Sequence, residues 1–215
     1  MRDKFNTEEP AVPMPPGLTD HAAQLRWNER YRRKGVAAFG QRPSQWLVSH
    51  EPVLEQQPQG WALDLACGNG RNAIYLAKLG FQVDALDVSD VAMQWLSKRV
   101  AKAKFPIHPR VVDLQTASLP AEKYQVIVNF NYLQRTLFAP IKKALLPGGL
   151  LFFETFTKDQ LQISENGINP AFVLEPNELL RAFLDFRILH YREGIIEKRG
   201  GVKKAVASLV ARKVA

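Results

Sequence analysis

The chain has 215 residues, 46% hydrophobic and 23% charged, with a formal charge of +8 and a pI near 9.7. That length buries a full core without covalent staples, and a single cysteine, Cys67, excludes an internal disulfide or a cysteine-built zinc cluster. No run of about 18 apolar residues predicts a membrane span.

The chain starts polar and proline-rich, with Pro10, Pro13, Pro15 and Pro16. Residues 1–18 are therefore expected as a flexible tail. They also lack the apolar centre of a secretion signal, so a cytoplasmic protein is expected. Residues 19–215 are expected to form one domain, entered through a helical lid over about 19–52. Thr19-Asp20 is placed to cap a first helix, about His21 to Lys34. A loop to Pro43 and a short helix or turn from Ser44 to about His50 follow.

From Trp61 strands and helices alternate. Strand 1 is predicted over Trp61–Ala66. A helix over Asn69–Leu79 stops at Gly80, a glycine suited to a helix end. Strand 2 is Phe81–Asp87, and Ser89 caps a helix over Asp90–Ala103. Strand 3 is Ile107–Val112. Strand 4, Tyr124–Asn129, is an apolar run of the kind buried on both faces. A helix starting at Pro140 ends before Pro147-Gly148-Gly149, and strand 5 is Leu150–Phe156. A polar connection, Thr157–Pro176, carries an Asn166-Gly167 turn signal. Glu178–Phe183 is helical. Phe186–Tyr191 and Ala205–Ala211 are the last strands, joined through Gly194 and Gly200-Gly201 as an antiparallel pair at one end of the sheet. The alternation implies an α/β fold, a parallel sheet with helices on both faces.

Ligands of such sheets lie beyond the carboxyl ends of the strands. After strand 1 come Asp64 and Gly68-Asn69-Gly70. The glycines permit left-handed backbone and close ligand approach, and the next helix offers free N–H groups. After strand 2 comes Asp87, placed to accept both hydroxyls of a ribose. After strand 3, Asp113-Leu114 suits an adenine: the carboxylate takes the amino group and the leucine covers the ring. After strand 4 comes Asn129-Phe130-Asn131-Tyr132. Each feature is weak alone, but four in order at strand ends are strong together.

Two cofactor classes compete. A dinucleotide wants a third small residue, which Ala73 supplies, and a pyrophosphate over the turn. Asp64 would then set a negative charge beside that pyrophosphate. S-adenosylmethionine carries a sulfonium and an ammonium, so the same carboxylate attracts it.

The sequence D-x-A-C-G-x-G-R, A-L-D-V-S, V-D-L and L-L-P-G-G resembles the class I S-adenosylmethionine-dependent methyltransferases, from about Trp27 onward. Trp27-Asn28-Glu29-Arg30-Tyr31 with Pro43-Ser44, and Asn169-Pro170 with Leu174 to Leu180, are similar to the tellurite-resistance and thiopurine-like small methyltransferases. The resemblance implies a Rossmann-like three-layer sandwich with a seven-stranded, mostly parallel sheet of order 3-2-1-4-5-7-6, strand 7 antiparallel. It implies that Asp64, Ala66, Gly68, Gly70 and Arg71 meet the methionine end of the cofactor, that Asp87 and Val88 hold the ribose, and that Asp113 and Leu114 hold the adenine. It places Asn129, Asn131 and Tyr132 toward the methyl group and closes Trp27 and Tyr31 over the cofactor. Asn129-Phe130-Asn131-Tyr132 lacks the proline pair of methyltransferases acting on adenine bases, which speaks against that acceptor.

Methyl transfer is a displacement in line with the C–S bond at a carbon already activated by sulfonium, so alignment and water exclusion are the main tasks, and a soft or anionic acceptor needs no general base. Arg135 and Arg71 could orient an anionic acceptor. Glu154 could bind substrate or cap a loop. Trp27 and Tyr31, four apart on one helix face, suit core packing or a lid equally. Cys67 reads as a small residue filling a turn. Trp46, Trp61 and Trp95 read as core or helix-face aromatics. His21, His50, His108 and His190 lack metal-ligand spacing, so no metal is expected.

Basic clusters occur at 30–34, 98–104 and 198–204. Two lie at expected helix ends, where cations complement the dipole. A small-molecule acceptor leads, with a monomer or weak homodimer expected. An RNA or protein acceptor is the alternative that the charge keeps open, and a non-catalytic cofactor-binding or partner-subunit module is a third reading.

Overall fold

The computed structural model describes residues 21–35, 40–163, 168–198 and 201–214. The expected tail, the Thr19-Asp20 cap, the Asn166-Gly167 turn and Gly200 lie outside these. In chain order the elements are α1 His21–Lys34, α2 Gln45–Val48, α3 Glu51–Glu55, β1 Trp61–Leu65, α4 Arg71–Lys78, β2 Gln82–Asp87, α5 Asp90–Ala103, β3 Ile107–Val111, β4 Tyr124–Phe130, α6 Phe138–Ala144, β5 Leu145–Phe156, α7 Gln160–Ile163, α8 Glu178–Ala182, β6 Arg187–Lys198 and β7 Val202–Arg212.

The seven strands form one sheet of order β3-β2-β1-β4-β5-β7-β6. β1 to β5 pair in parallel, and β7 runs antiparallel to both β5 and β6. The expected order and antiparallel seventh strand are both present. Alternation along each strand separates two cores. Ala62, Val83, Val126, Val128 and Phe152 pack under the first five helices, with Leu47, Leu76 and Leu96. Leu63, Leu65, Ile127, Leu151 and Phe153 face the opposite side, against Ile141, Leu179 and Phe183. A parallel strand buried on both faces needs apolar residues at every position, which is why β4 reads as a continuous apolar run.

Most boundaries shift by a residue or two, the helices α3 and α7 have no counterpart in the sequence reading, and three further differences have a clear cause. α6 begins at Phe138, two residues before Pro140, because a short 3-10 turn at Arg135–Leu137 runs straight into it. β5 begins at Leu145: Leu145 pairs with Tyr124, and the Pro147-Gly148-Gly149 stretch bulges before pairing resumes at Leu150. The terminal hairpin is longer than expected, and Gly194 does not end a strand. It sits inside β6 opposite Val206, because β6 lies at the sheet edge, where a missing side chain costs little packing.

Among the described residues, no helix is long and apolar enough to cross a membrane.

Candidate cofactor site

Beyond Leu65 the backbone becomes left-handed at alternate residues: φ is 50° at Ala66, 55° at Gly68 and 72° at Gly70. At both glycines the space a side chain would fill is taken. A Cβ on Gly68 would lie 2.5 Å from the Tyr31 hydroxyl, and one on Gly70 would lie 2.3 Å from Leu96 Cδ1. The turn is therefore pinned between α1 and α5. Asparagines in the turn and just after it tie it down further. Asn69 Nδ2 donates to Gly40 O at 2.8 Å, and the Ser44 N–H donates to Asn72 Oδ1 at 2.8 Å. Cys67 is buried within the turn, and burial, with Asp64 and Asp87 nearby, pushes its thiol well above its ordinary range. That suits a space-filling residue better than a nucleophile.

Three acids stand at the carboxyl ends of β1, β2 and beyond β3. Asp64 is 1% exposed, and its Oδ2 accepts the Ala73 N–H at 2.9 Å. Burial raises its pKa to about 7 against the partial relief of that N–H and of Arg71. Asp87 Oδ2 accepts from the Gly68 N–H at 2.8 Å and Oδ1 from the Ser89 N–H at 2.9 Å. Burial raises its pKa too, opposed by those backbone donors. Val88 between them is half-buried. Asp113 Oδ1 accepts from the Gln115 N–H at 2.9 Å, with Leu114 buried beside it.

Three buried side-chain oxygens at this end of the sheet, Asp113 Oδ2, Asn129 Oδ1 and Thr157 Oγ1, have no hydrogen-bond partner among the described residues. A buried acceptor left unmade costs about 1–3 kcal/mol. A ligand beside the glycine turn that donates hydrogen bonds would satisfy the first two. S-adenosylmethionine fits this set. Its adenine amino group matches Asp113 Oδ2. Its ribose hydroxyls match Asp87, whose oxygens keep lone pairs beyond the two N–H groups. Its ammonium and sulfonium match Asp64 and the Asn129 oxygen.

The loop after β4 continues this wall. Asn129 Nδ2 donates to Tyr132 O at 2.8 Å. Tyr132 is half-buried, and its phenol is pushed up by burial and by the nearby Asp113 and Asp87. Asn131 is exposed at a left-handed φ of 58°, and its N–H donates to Glu154 O at 2.8 Å.

Two expected acceptor-side residues are engaged elsewhere. Arg135 Nε and Nη2 donate to the two oxygens of Glu178 at 2.6 and 2.8 Å, while Nη1 and Nη2 reach the carbonyls of Ala171 and Val173. That guanidinium clamps the segment after β5 onto the loop after β4. Glu154 is buried, and its Oε2 accepts from the Ser208 hydroxyl at 2.8 Å and Arg192 Nη2 at 3.1 Å. Arg192 in turn lies 4.4 Å from the ring centre of Trp46.

α1 roofs the site. Tyr31 is 4% exposed and meets Trp95 edge-on at 5.8 Å, with the tilted ring of Trp27 at 6.3 Å. Burial, with Asp87 and Cys67 nearby, pushes the Tyr31 hydroxyl up. Arg71 lies near the same groups, among the charges that act on Asp64 and Tyr31. Sequence reasoning passed over Asn28, which is buried and bonded to the start of α5. Its only signal was its place between Trp27 and Tyr31.

Residues 50–204 match the model of a protein family described as tellurite resistance protein TehB. A curated relative, the probable S-adenosyl-L-methionine-dependent methyltransferase TehB of Haemophilus influenzae (strain 10810), is 27% identical over 165 residues, covering 70% of this chain and 56% of that protein. The chain thus spans little more than half the length of that relative. The crystal structure of TehB from Haemophilus influenzae superposes with a TM-score of 0.68 at 22% identity, covering 86% of this chain and 66% of the other. Geranyl diphosphate C-methyltransferase from Streptomyces coelicolor A3(2), solved with S-adenosyl-L-homocysteine, gives a TM-score of 0.59 at 15% identity, covering 78% and 77%. At these identities the structural likeness establishes the fold.

Proposed function

Because the chain belongs to the tellurite resistance protein TehB family, we propose that it is a methyltransferase drawing its methyl group from S-adenosylmethionine and passing it to a small-molecule acceptor. The observation that carries this reading is the pair of unpartnered buried acceptors, Asp113 Oδ2 and Asn129 Oδ1, beside the Gly68–Gly70 turn. When bound, the cofactor supplies a methyl carbon already activated by positive sulfur. Asp64 would hold its charged end, Asp87 its ribose hydroxyls and Asp113 its adenine amino group. Asn129 and Tyr132 shape the space over the methyl group, and α1 excludes water, leaving a displacement in line with the C–S bond that needs alignment more than acid–base help. The roof of Trp27 and Tyr31 supports a compact acceptor over a long polymer. The single buried thiol accords with a reducing, cytoplasmic setting, and a monomer or weak homodimer is our reading of the assembly.

Titration calorimetry with S-adenosylmethionine tests the cofactor. Binding well below about a millimolar is expected, in the range common for enzyme ligands, and no heat at that concentration would refute the reading. Transfer of label from methyl-labelled cofactor into a panel of small thiols, amines, hydroxyl compounds and oxyanions tests the acceptor class.

A further inference from the structure

We propose that Asn28 is a positioning residue for the cofactor: it latches α1 over the site through a hydrogen-bond chain that runs through Ser89 to Asp87. This rests on the cofactor reading above. Asn28 is 5% exposed, and its oxygen accepts from the Ser89 hydroxyl at 2.6 Å and from the Val91 N–H at 3.5 Å. Its amide donates to Asp90 Oδ1. One side chain from α1 thus meets the first turn of α5 at three points and shares with Ser89 the capping of its N–H groups.

Ser89 is where the chain changes direction. Its hydroxyl gives its proton to Asn28 and accepts the Ala92 N–H at 3.1 Å, while its own N–H donates to Asp87 Oδ1 at 2.9 Å. The other Asp87 oxygen holds the Gly68 N–H. The acid assigned to the ribose is therefore oriented from both sides: by the glycine turn and by a residue whose remaining bond goes to the roof. Tyr31 lies one turn further along α1, with its hydroxyl over Gly68. Docking of Asn28 and seating of Tyr31 are then one event. A ligand that draws on Asp87 steadies Ser89 and, through it, the roof.

Stopped-flow dissociation of S-adenosylhomocysteine, read by tryptophan fluorescence from the full chain, tests the latch. Asn28→Ala is expected to release the ligand about tenfold faster, the effect of one buried hydrogen bond, with little change in association. Ser89→Ala should act alike, and the double variant should add little, because both break one chain. Asn28→Asp keeps the acceptor for Ser89 but sets a carboxylate against Asp90, so its rate should fall between. Hydrogen exchange supplies a readout that a merely structural role would not move. The ligand should protect α1 in the wild type and leave it unprotected in Asn28→Ala, while protecting residues 63–70 in both. A folded Asn28→Ala with wild-type release and wild-type α1 protection would overturn the latch alone. If Asn28→Ala fails to fold, wild-type release from Asn28→Asp would do the same. Absence of S-adenosylhomocysteine binding to the wild type at about millimolar concentration, weak for an enzyme ligand, would overturn the cofactor reading and the latch with it.

Discussion

Ala66 keeps a side chain at a backbone angle where glycine is favoured, φ 50°. The left-handed conformation costs an L-residue about 1–2 kcal/mol. Ala66→Gly should therefore raise stability by about 0.5–1 kcal/mol, after the added freedom of glycine in the unfolded chain is offset. Thermal unfolding would read that as a rise of roughly 1–4 °C for a domain of this size. Asp64 stores a larger tension. Its folded pKa, about 7, lies above its ordinary 3.8. The unfolded carboxyl loses its proton first, so the folded form is favoured most below about pH 4 and loses ground until pH passes about 7. Asp64→Asn keeps an oxygen for the Ala73 N–H and carries no charge. It should match the wild type near pH 3.5 and exceed it by about 2–4 kcal/mol at pH 8.5, as denaturant titrations at the two pH values would show. The same ionisation should make S-adenosylmethionine, relative to its neutral-sulfur product, bind roughly tenfold more tightly at pH 8.5 than at pH 5.5. At this scale the sequence exposes Asp64, Asp87 and Asp113, because each closes an apolar strand or follows one closely. It hides Asn28, because the partner that gives it meaning is Ser89, 61 residues away.

Among the elements, the helices and strands from Trp61 to Phe156 are largely legible, since each is bounded by a cap, a glycine or a proline with a local cause. Extent fails where pairing decides it. The β6–β7 hairpin runs on to Lys198 and Val202 because each strand supplies the other's hydrogen bonds, an interaction that local composition does not record. Arg135 fails for a related reason. Near the end of strand 4 a lone arginine suggests an anion, yet its guanidinium spans to Glu178 and the carbonyls of Ala171 and Val173. The pair is partly exposed, 43% for Arg135 and 18% for Glu178, so solvent screens much of the attraction. Arg135→Met should cost about 1–2 kcal/mol, mostly through the unpaired carbonyls. It should open the 168–178 segment to proteolysis before the rest of the chain. Arg135→Lys keeps the charge without the two-pronged geometry and should restore less than half of the protection.

The whole molecule sorts its charges by place. The chain carries +8 overall, yet three buried carboxylates gather at the carboxyl ends of β1, β2 and β3, on strands that the sheet order makes neighbours. Among the described residues, cations such as Arg32, Arg33 and Lys34 in the last turn of α1 lie on outer surfaces, while Arg71 stands near Asp64. The interior is thus set against a pyrophosphate and in favour of a cation, whatever the net charge suggests. Because the acids come from separate strands, a ligand that engages them all binds only the folded sheet, and its binding energy adds to the stability of the whole domain. At a hundred times its dissociation constant, S-adenosylmethionine should add about 2.7 kcal/mol. For a domain of this length that amounts to a rise in unfolding temperature of roughly 5–10 °C. A reduced nicotinamide dinucleotide at about millimolar concentration should leave the transition where it is, since its pyrophosphate would sit against Asp64. Calorimetric scans with each ligand decide between the two cofactor classes. An equal rise with the dinucleotide would mean that Asp64 stays protonated in the bound state, and the charge argument for a sulfonium would fall with it.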